Sequence, residues 1–138
     1  MVDVHQIRLS GDPEFQKKLR ELRIRACAMG VSTGSVTEIG SLAVSAAAAP
    51  AMLALYQRGS CQDLSRRAKA PDATYLALRG RHALALKRLR GGLIALSAPE
   101  LPLRTIAHLA IVLLAEAPDD TLRSLQDTHQ SKQANRSR

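Results

Sequence analysis

The sequence predicts a mainly α-helical protein with a short two-stranded antiparallel ribbon. Its apolar residues make up 46% of 138, yet aromatic residues are only 2% and Trp is absent, so the core must be aliphatic. Ala and Leu favour helices, whereas strands draw on aromatic and β-branched side chains. Apolar positions recur at helical spacing along most of the chain, and only two short segments alternate as strands do. This length allows one ordinary domain or two very small ones and argues against a large enzyme core.

The chain is strongly basic, with a net charge of +8 that is shared equally between the two sides of residue 70. Excess positive charge indicates a polyanionic partner, most commonly nucleic acid. Cys27 and Cys61 are too few for a disulfide framework and lack the CxxC pairing of a zinc site. No signal-like start and no apolar run of about 18 residues is found. We therefore expect a cytoplasmic protein without a cofactor.

A first strand is predicted over residues 4–9. Its alternation places Ile7 and Leu9 on one face, and Gln6 and Arg8 on the other face together with Val4. The apolar face needs helices beneath it. The opposite face is free to contact a partner.

Two helices are expected to follow this strand. Asp12 has the position and chemistry of an N-cap, and Gly30 is expected to end that helix in a left-handed conformation. Ser32 is the predicted N-cap of the second helix, which should run over about residues 33–49. A short helical piece then covers residues 51–57.

The second half of the chain repeats this order. A polar, basic linker is expected over residues 59–72, followed by a strand over 74–78 and by helices over about 81–96 and 103–116. Leu9 precedes Ile39 by 30 residues, and Leu78 precedes Ile106 by 28. Two strand–helix–helix units therefore match within one short indel, which we expect in the turn between the helices.

These units predict one compact domain over residues 1–118. The first unit covers about residues 3–58 and the second about 73–118. A lone strand has two unpaired edges, and a two-helix hairpin has too little core, so each unit needs a partner. Pairing around a two-fold axis yields an antiparallel ribbon over four helices. The polar residues 119–138 have the composition of a disordered tail.

This pattern, with Ile7-Arg8-Leu9 on the strand and Gly30-Val31-Ser32 between the helices, resembles the ribbon–helix–helix (Arc/MetJ-type) family over about residues 3–49. Most members build the fold from two chains. The tandem order over residues 3–118 resembles the single-chain pseudo-dimer form found among relaxosome-type accessory factors of T-DNA transfer, which bind overdrive DNA.

The resemblance implies sequence-specific binding of double-stranded DNA through a β-ribbon in the major groove, by a monomer with internal pseudo-two-fold symmetry. It also implies a role in conjugation or T-DNA transfer, a plasmid or virulence setting, and relaxosome proteins as partners. Gln6 and Arg8 on one strand, and Tyr75 and Ala77 on the other, are then expected to face the bases. Because the strands differ, we expect a non-palindromic site.

Phosphate contacts are expected where the second helix of the first unit begins, at Ser32 and Thr33, because free N–H groups and the helix dipole favour an anion there. In the second unit Pro99 and Pro102 remove such donors. There, basic side chains are expected to compensate. They are Arg79, Arg81 and Arg104.

Other functions remain open at this point. The chain is also compatible with a transcriptional regulator, an antitoxin-like protein-interaction module, or a self-associating bundle. Ser32 suits a helix cap under any function, and the basic run over residues 17–25 reads as a solvated helix face. No nucleophile motif, phosphate loop or metal-ligand spacing occurs, so we expect no enzyme activity and no metal.

Overall fold

The computed structural model describes residues 4–59 and 75–125. The described chain is mainly helical, with one two-stranded antiparallel sheet. Its elements are β1 (Val4–Arg8), α1 (Pro13–Ala28), α2 (Val36–Ala46), α3 (Ala49–Gln57), β2 (Tyr75–Arg79), α4 (Arg81–Ala95), α5 (Leu103–Glu116) and a last helical segment, α6, over residues 119–125. The predicted linker lies outside the described residues from residue 60 onward.

The two strands pair with each other although helices α1, α2 and α3 lie between them in the described part of the chain. The pairing is antiparallel and places Ile7 opposite Leu76 and Arg8 opposite Tyr75. Ile7, Leu9, Leu76 and Leu78 are all 4% exposed or less. The predicted ribbon is therefore confirmed, and its apolar face lies on the helices.

The first helix of each half ends in the same turn. Gly30 has a φ of +71° after α1, and the N–H of Val31 donates to the carbonyl of Ala26 at 2.9 Å. Ser97 has a φ of +58° after α4, and the N–H of Ala98 donates to the carbonyl of Leu93 at 3.1 Å. Both turns satisfy late helix carbonyls in the left-handed way. At the other end of α1, the predicted Asp12 cap is confirmed, since its carboxylate accepts from the Phe15 N–H at 3.4 Å.

The start of the second helix was predicted at the wrong serine. The N-cap of α2 is Ser35, whose hydroxyl oxygen accepts from the N–H of Glu38 at 3.1 Å. Ser32 instead accepts from the N–H of Gly34 at 2.9 Å, within the preceding turn. Gly34 has a φ of +86°, so the backbone is not helical there and α2 begins only after it. The helix also ends earlier than predicted, at Ala46.

The length difference between the halves lies elsewhere than predicted. The turns between the helices, residues 29–35 and 96–102, are equally long. The halves differ where the strand joins the first helix, because residues 9–12 connect β1 to α1 while Gly80 alone connects β2 to α4. Gly80 has a φ of +55°, which makes this abrupt corner accessible without a Cβ clash.

The second helix of each half packs against the other half. α2 contacts β2 and α4, α5 contacts β1 and α1, and α2 and α5 contact each other. At Gly40 of α2, a Cβ would overlap the side chain of Leu76. The two halves therefore share one aliphatic core, to which Ile39, Leu86, Ile106 and Ile111 contribute fully buried side chains.

The predicted disorder from residue 119 is wrong for the first part of the tail. Residues 119–125 form α6, and Leu122 is fully buried against the core, with Leu125 partly buried one turn later. Two leucines three positions apart give this polar segment one apolar edge. Residues 126–138 lie outside the described chain.

Within residues 4–59 and 75–125, no single helix is long and apolar enough to cross a bilayer. Helices α2 and α3 reach that length only as a pair bent by 105°.

Candidate nucleic-acid interface

The solvent-facing side of the ribbon, which we call the outer face, includes five side chains that the structure describes. They are Gln6, Arg8, Tyr75, Ala77 and Arg79. Gln6 and Arg79 are exposed, Arg8 and Ala77 are half-buried, and Tyr75 is 56% exposed. The structure thus brings all four base-facing candidates of the sequence analysis together on one surface, with Arg79 beside them.

The register arranges these residues in opposed pairs. Gln6 lies opposite Ala77, Arg8 opposite Tyr75, and Arg79 opposite Val4. Directly opposed residues have Cβ atoms about 4.5–5.5 Å apart, so Gln6 with Ala77, and Arg8 with Tyr75, can each contact a ligand as one unit. The outer face therefore has a guanidinium near each end, an amide and a methyl group between them, and an aromatic hydroxyl at one end only.

A second concentration of positive charge lies at the corner between β2 and α4. Arg79 ends the strand, Arg81 is the first residue of α4, and both side chains are exposed. The first turn of α4 contains no acidic residue. A helix N-terminus carries partial positive charge, so a cation there is unfavourable for the isolated helix. An anion bound at this corner would relieve that repulsion.

The structure does not present Ser32 and Thr33 as open donors. The Thr33 hydroxyl donates to Glu38 Oε2 at 2.8 Å, and the Thr33 N–H donates to Glu38 Oε1 at 3.3 Å. Ser32 is occupied by the turn to Gly34. The start of α2 therefore already holds an anion of its own, the Glu38 carboxylate.

The sequence analysis missed a polar cluster where β1 ends. Arg104 Nε donates to the carbonyl of Arg8 at 2.8 Å, and the N–H of Ser10 donates to His108 Nε2 at 2.9 Å. His108 Nδ1 lies 2.7 Å from the carbonyl of Arg104. Ser10 is also held by Gln16, whose amide donates to its carbonyl at 2.6 Å. Helix α5 of the second half thus holds the strand of the first.

The hydrogen bonds of His108 identify its protonation state. Nε2 accepts from a backbone N–H, so the ring proton is on Nδ1, which donates to a backbone carbonyl. Burial lowers the pKa of His108 from 6.5 to about 4, and the nearby Arg104 cation acts in the same direction. The ring also packs against Phe15, with ring centroids 4.6 Å apart. His108 is therefore a neutral structural residue at neutral pH.

A signal for this cluster is present in the sequence. Arg104 and His108 stand four positions apart on α5, so they share one side of a helix whose neighbouring positions are almost all apolar. Polar groups on a buried helix face require partners. The sequence analysis expected Arg104 to compensate phosphate charge, but its Nε is bound to the strand.

Two cations of α1 contact the far end of α5. Lys18 pairs with Glu116 at 3.0 Å, and Arg25 pairs with Asp119 at 2.8 Å. Arg25 also donates to the carbonyl of Ala115 at 2.9 Å. These contacts join the two halves of the chain. The sequence predicted only a solvated face for this part of α1.

Comparison with protein-family models, with curated proteins and with solved structures finds no match to this chain. Among residues 4–59 and 75–125, no three His, Cys, Asp or Glu side chains are grouped so as to hold a metal ion. The outer face and its adjoining basic corner are therefore the candidate binding surface.

Proposed function

We propose that this protein binds double-stranded DNA by inserting the β1–β2 ribbon into the major groove, as a single-chain tandem ribbon–helix–helix protein. The observation that carries the proposal is the register, which puts Arg8 and Gln6 of one strand on the same outer face as Tyr75 and Ala77 of the other. The major groove is about 12 Å wide and admits a two-stranded ribbon.

The tandem architecture is supported by the similarity of the two halves. Each half has a strand followed by a helix that ends in a left-handed turn, at Gly30 and at Ser97. In each half the next helix then packs against the strand of the other half. This is the exchange expected when two ribbon–helix–helix units complete one core.

The outer face offers specific chemistry for base recognition. Arg8 has the geometry to bind a guanine through O6 and N7, and Gln6 can bind an adenine through N6 and N7. Ala77 suits contact with a thymine methyl group, and Tyr75 brings a hydroxyl. Arg8 and Arg79 each end their strand, but Gln6 and Tyr75 have no counterpart of the same kind on the other strand, so the recognised site is non-palindromic.

Phosphate contacts are assigned to the basic corner. Arg79 and Arg81 are exposed beside the ribbon, on either side of Gly80. Backbone phosphates would neutralise two like charges that the start of α4 leaves unbalanced. A phosphate at Ser32 and Thr33 would have to displace the Glu38 carboxylate, so we place less of the affinity there.

The biological process we propose is accessory binding in conjugal or T-DNA processing, with transcriptional regulation as the alternative. Support for the former is the single-chain tandem order, which resembles relaxosome-type accessory factors. Both processes need the same groove contact. They differ in where the recognised sequence lies, near a transfer origin or border, or within a promoter.

Selection from random duplexes, followed by anisotropy titration of the selected site, tests DNA binding. We expect the Arg8→Ala variant to lose about 1–3 kcal/mol of discrimination at one base pair. Arg123→Ala is the matched control: it removes the same charge from an exposed side chain. It lies beyond the end of α5 that is remote from the ribbon, and α5 spans 14 residues, or about 21 Å.

Salt dependence provides an independent measure. Affinity should fall with a log–log slope near −0.9 for each phosphate neutralised. A protein-interaction module with no DNA role would select no duplex sequence at all. A selected site that is a perfect inverted repeat, or an affinity indifferent to salt, would contradict the proposed mode.

A further inference from the structure

We propose that Arg104 and His108 are positioning residues that fix the end of β1 so that Arg8 can read its base pair. This inference rests on the proposed DNA binding. It adds that some residues bind the bases while others hold those residues in position. Arg104 and His108 contact no base themselves in this scheme. They act through the backbone of residues 8–10.

Side chains of α5 restrain the backbone at the end of β1. The carbonyl of Arg8 accepts from Arg104 Nε at 2.8 Å, and the N–H of Ser10 donates to His108 Nε2 at 2.9 Å. Ser10 is fully buried, and its hydroxyl oxygen and carbonyl accept from Asp12 N–H and Gln16 Nε2. The main chain on both sides of Leu9 is therefore tied to helices.

The hydrogen bonds from Arg104 and His108 to this backbone reinforce each other. His108 Nδ1 donates to the carbonyl of Arg104 at 2.7 Å, one turn earlier on the same helix. His108 is fully buried and packs against Phe15 of α1. One rigid helix of the second half thus presents both side chains to the first strand, at fixed spacing.

Among the described residues, α2 does not offer the same pair of side chains to the other end of the ribbon. The turns between helices are equally long, so Thr37 and Ser41 of α2 correspond to Arg104 and His108 of α5. Neither has a guanidinium or an imidazole that can reach as far. β2 passes into α4 through Gly80, which has no side chain to anchor.

This difference between the two ends of the ribbon predicts unequal roles for them in DNA recognition. A bidentate arginine–guanine contact tolerates little displacement, because both hydrogen bonds must form at once. Preorganising the backbone under Arg8 sharpens this contact. Discrimination is therefore strongest at the base pair that Arg8 reads, and weaker at the pairs near Arg79.

A double-mutant cycle tests the inference. Wild type, Arg104→Ala, Arg8→Ala and the double variant are titrated against the selected duplex and against a duplex with the Arg8 base pair changed. We expect Arg104→Ala to reduce the ratio of the two affinities about tenfold, within the range for one bidentate contact. In the Arg8→Ala background, we expect it to change the ratio no further.

Arg104→Ala alone removes a charge as well as a tether, so His108→Leu provides a second variant, which removes the acceptor for the Ser10 N–H and leaves every cationic side chain in place. Thermal unfolding shows whether each variant is folded at the titration temperature. His108→Leu should also lower the discrimination ratio. If either variant weakens binding equally for both duplexes, or if its effect adds fully to that of Arg8→Ala, the positioning role is wrong.

Amide hydrogen exchange in the free protein separates failure of this inference from failure of DNA binding. The Ser10 amide should exchange faster in His108→Leu than in wild type, while the Leu76 amide in the facing strand should change less. Slow Ser10 exchange in the variant would overturn the restraint even if DNA is bound. Fast exchange together with no DNA binding by wild type would refute the proposed function instead.

Discussion

Within the core, His108 is held in its neutral form between one backbone donor and one backbone acceptor. An unfolded chain gives histidine its usual pKa of 6.5, whereas burial lowers the pKa in the folded protein to about 4. The folded state therefore binds this proton less readily than the unfolded state. The stability that this difference contributes is complete above pH 6.5 and is lost as the pH falls towards 4.

This difference predicts an acid-sensitive fold. From pH 7 to pH 4, His108 should remove up to about 3 kcal/mol from the free energy of unfolding. Carboxylates also titrate in this range, so the measurement is the difference between wild type and His108→Gln in urea unfolding at both pH values. That difference should shrink on acidification. A difference that is constant with pH would contradict the assignment.

At the scale of single residues, only part of the candidate site could be predicted from the sequence. Strand alternation was enough to place Gln6, Arg8, Tyr75 and Ala77 on one face, because it depends on local geometry alone. The partner of the Ser10 N–H, His108, is 98 positions away on α5, a relation that only the tertiary fold creates. Glu38 was likewise missed, since its bond to Thr33 depends on where α2 begins.

Among the elements, the packing of α2 on the ribbon depends on the absence of one side chain. A Cβ on Gly40 would overlap Leu76, which is fully buried in β2. We expect Gly40→Ala to lower the free energy of unfolding by about 1–3 kcal/mol, the usual cost of overpacking a core. Urea unfolding followed by circular dichroism measures this loss.

Gly91 is a matched control for this substitution. It lies within α4, and nothing is within 4 Å of where its Cβ would be. Gly91→Ala should stabilise the protein by up to about 1 kcal/mol, because alanine has the higher helix propensity. If Gly40→Ala also stabilises, then α2 is not in close contact with the strand.

The elements show which sequence signals are sufficient. Helix α5 was predicted with its observed bounds because a strongly apolar segment lies between two prolines. The start of α2 was misplaced because Ser32 and Ser35 are equally good caps by residue type, and only the positive φ of Gly34 decides between them. Helix α6 was missed because its burial depends on Leu122 reaching a core made elsewhere.

For the whole molecule, one polypeptide supplies both strands of the ribbon, and the two halves share a core. We therefore expect a monomer that unfolds with a midpoint independent of protein concentration. Sedimentation velocity over a hundredfold range of concentration measures the first property, and thermal melts over the same range measure the second. A tight obligate dimer would mean that the halves pair between chains in solution.

The joining of two strands in one chain also determines how such a surface can change. In a symmetric homodimer every substitution in the strand is made twice, so both halves of a recognised sequence are altered together. Here Gln6 and Arg8 each occur once on the outer face, opposite residues of a different kind. A mutation of either alters a single position of the ligand, so each half of the target can diverge under separate selection.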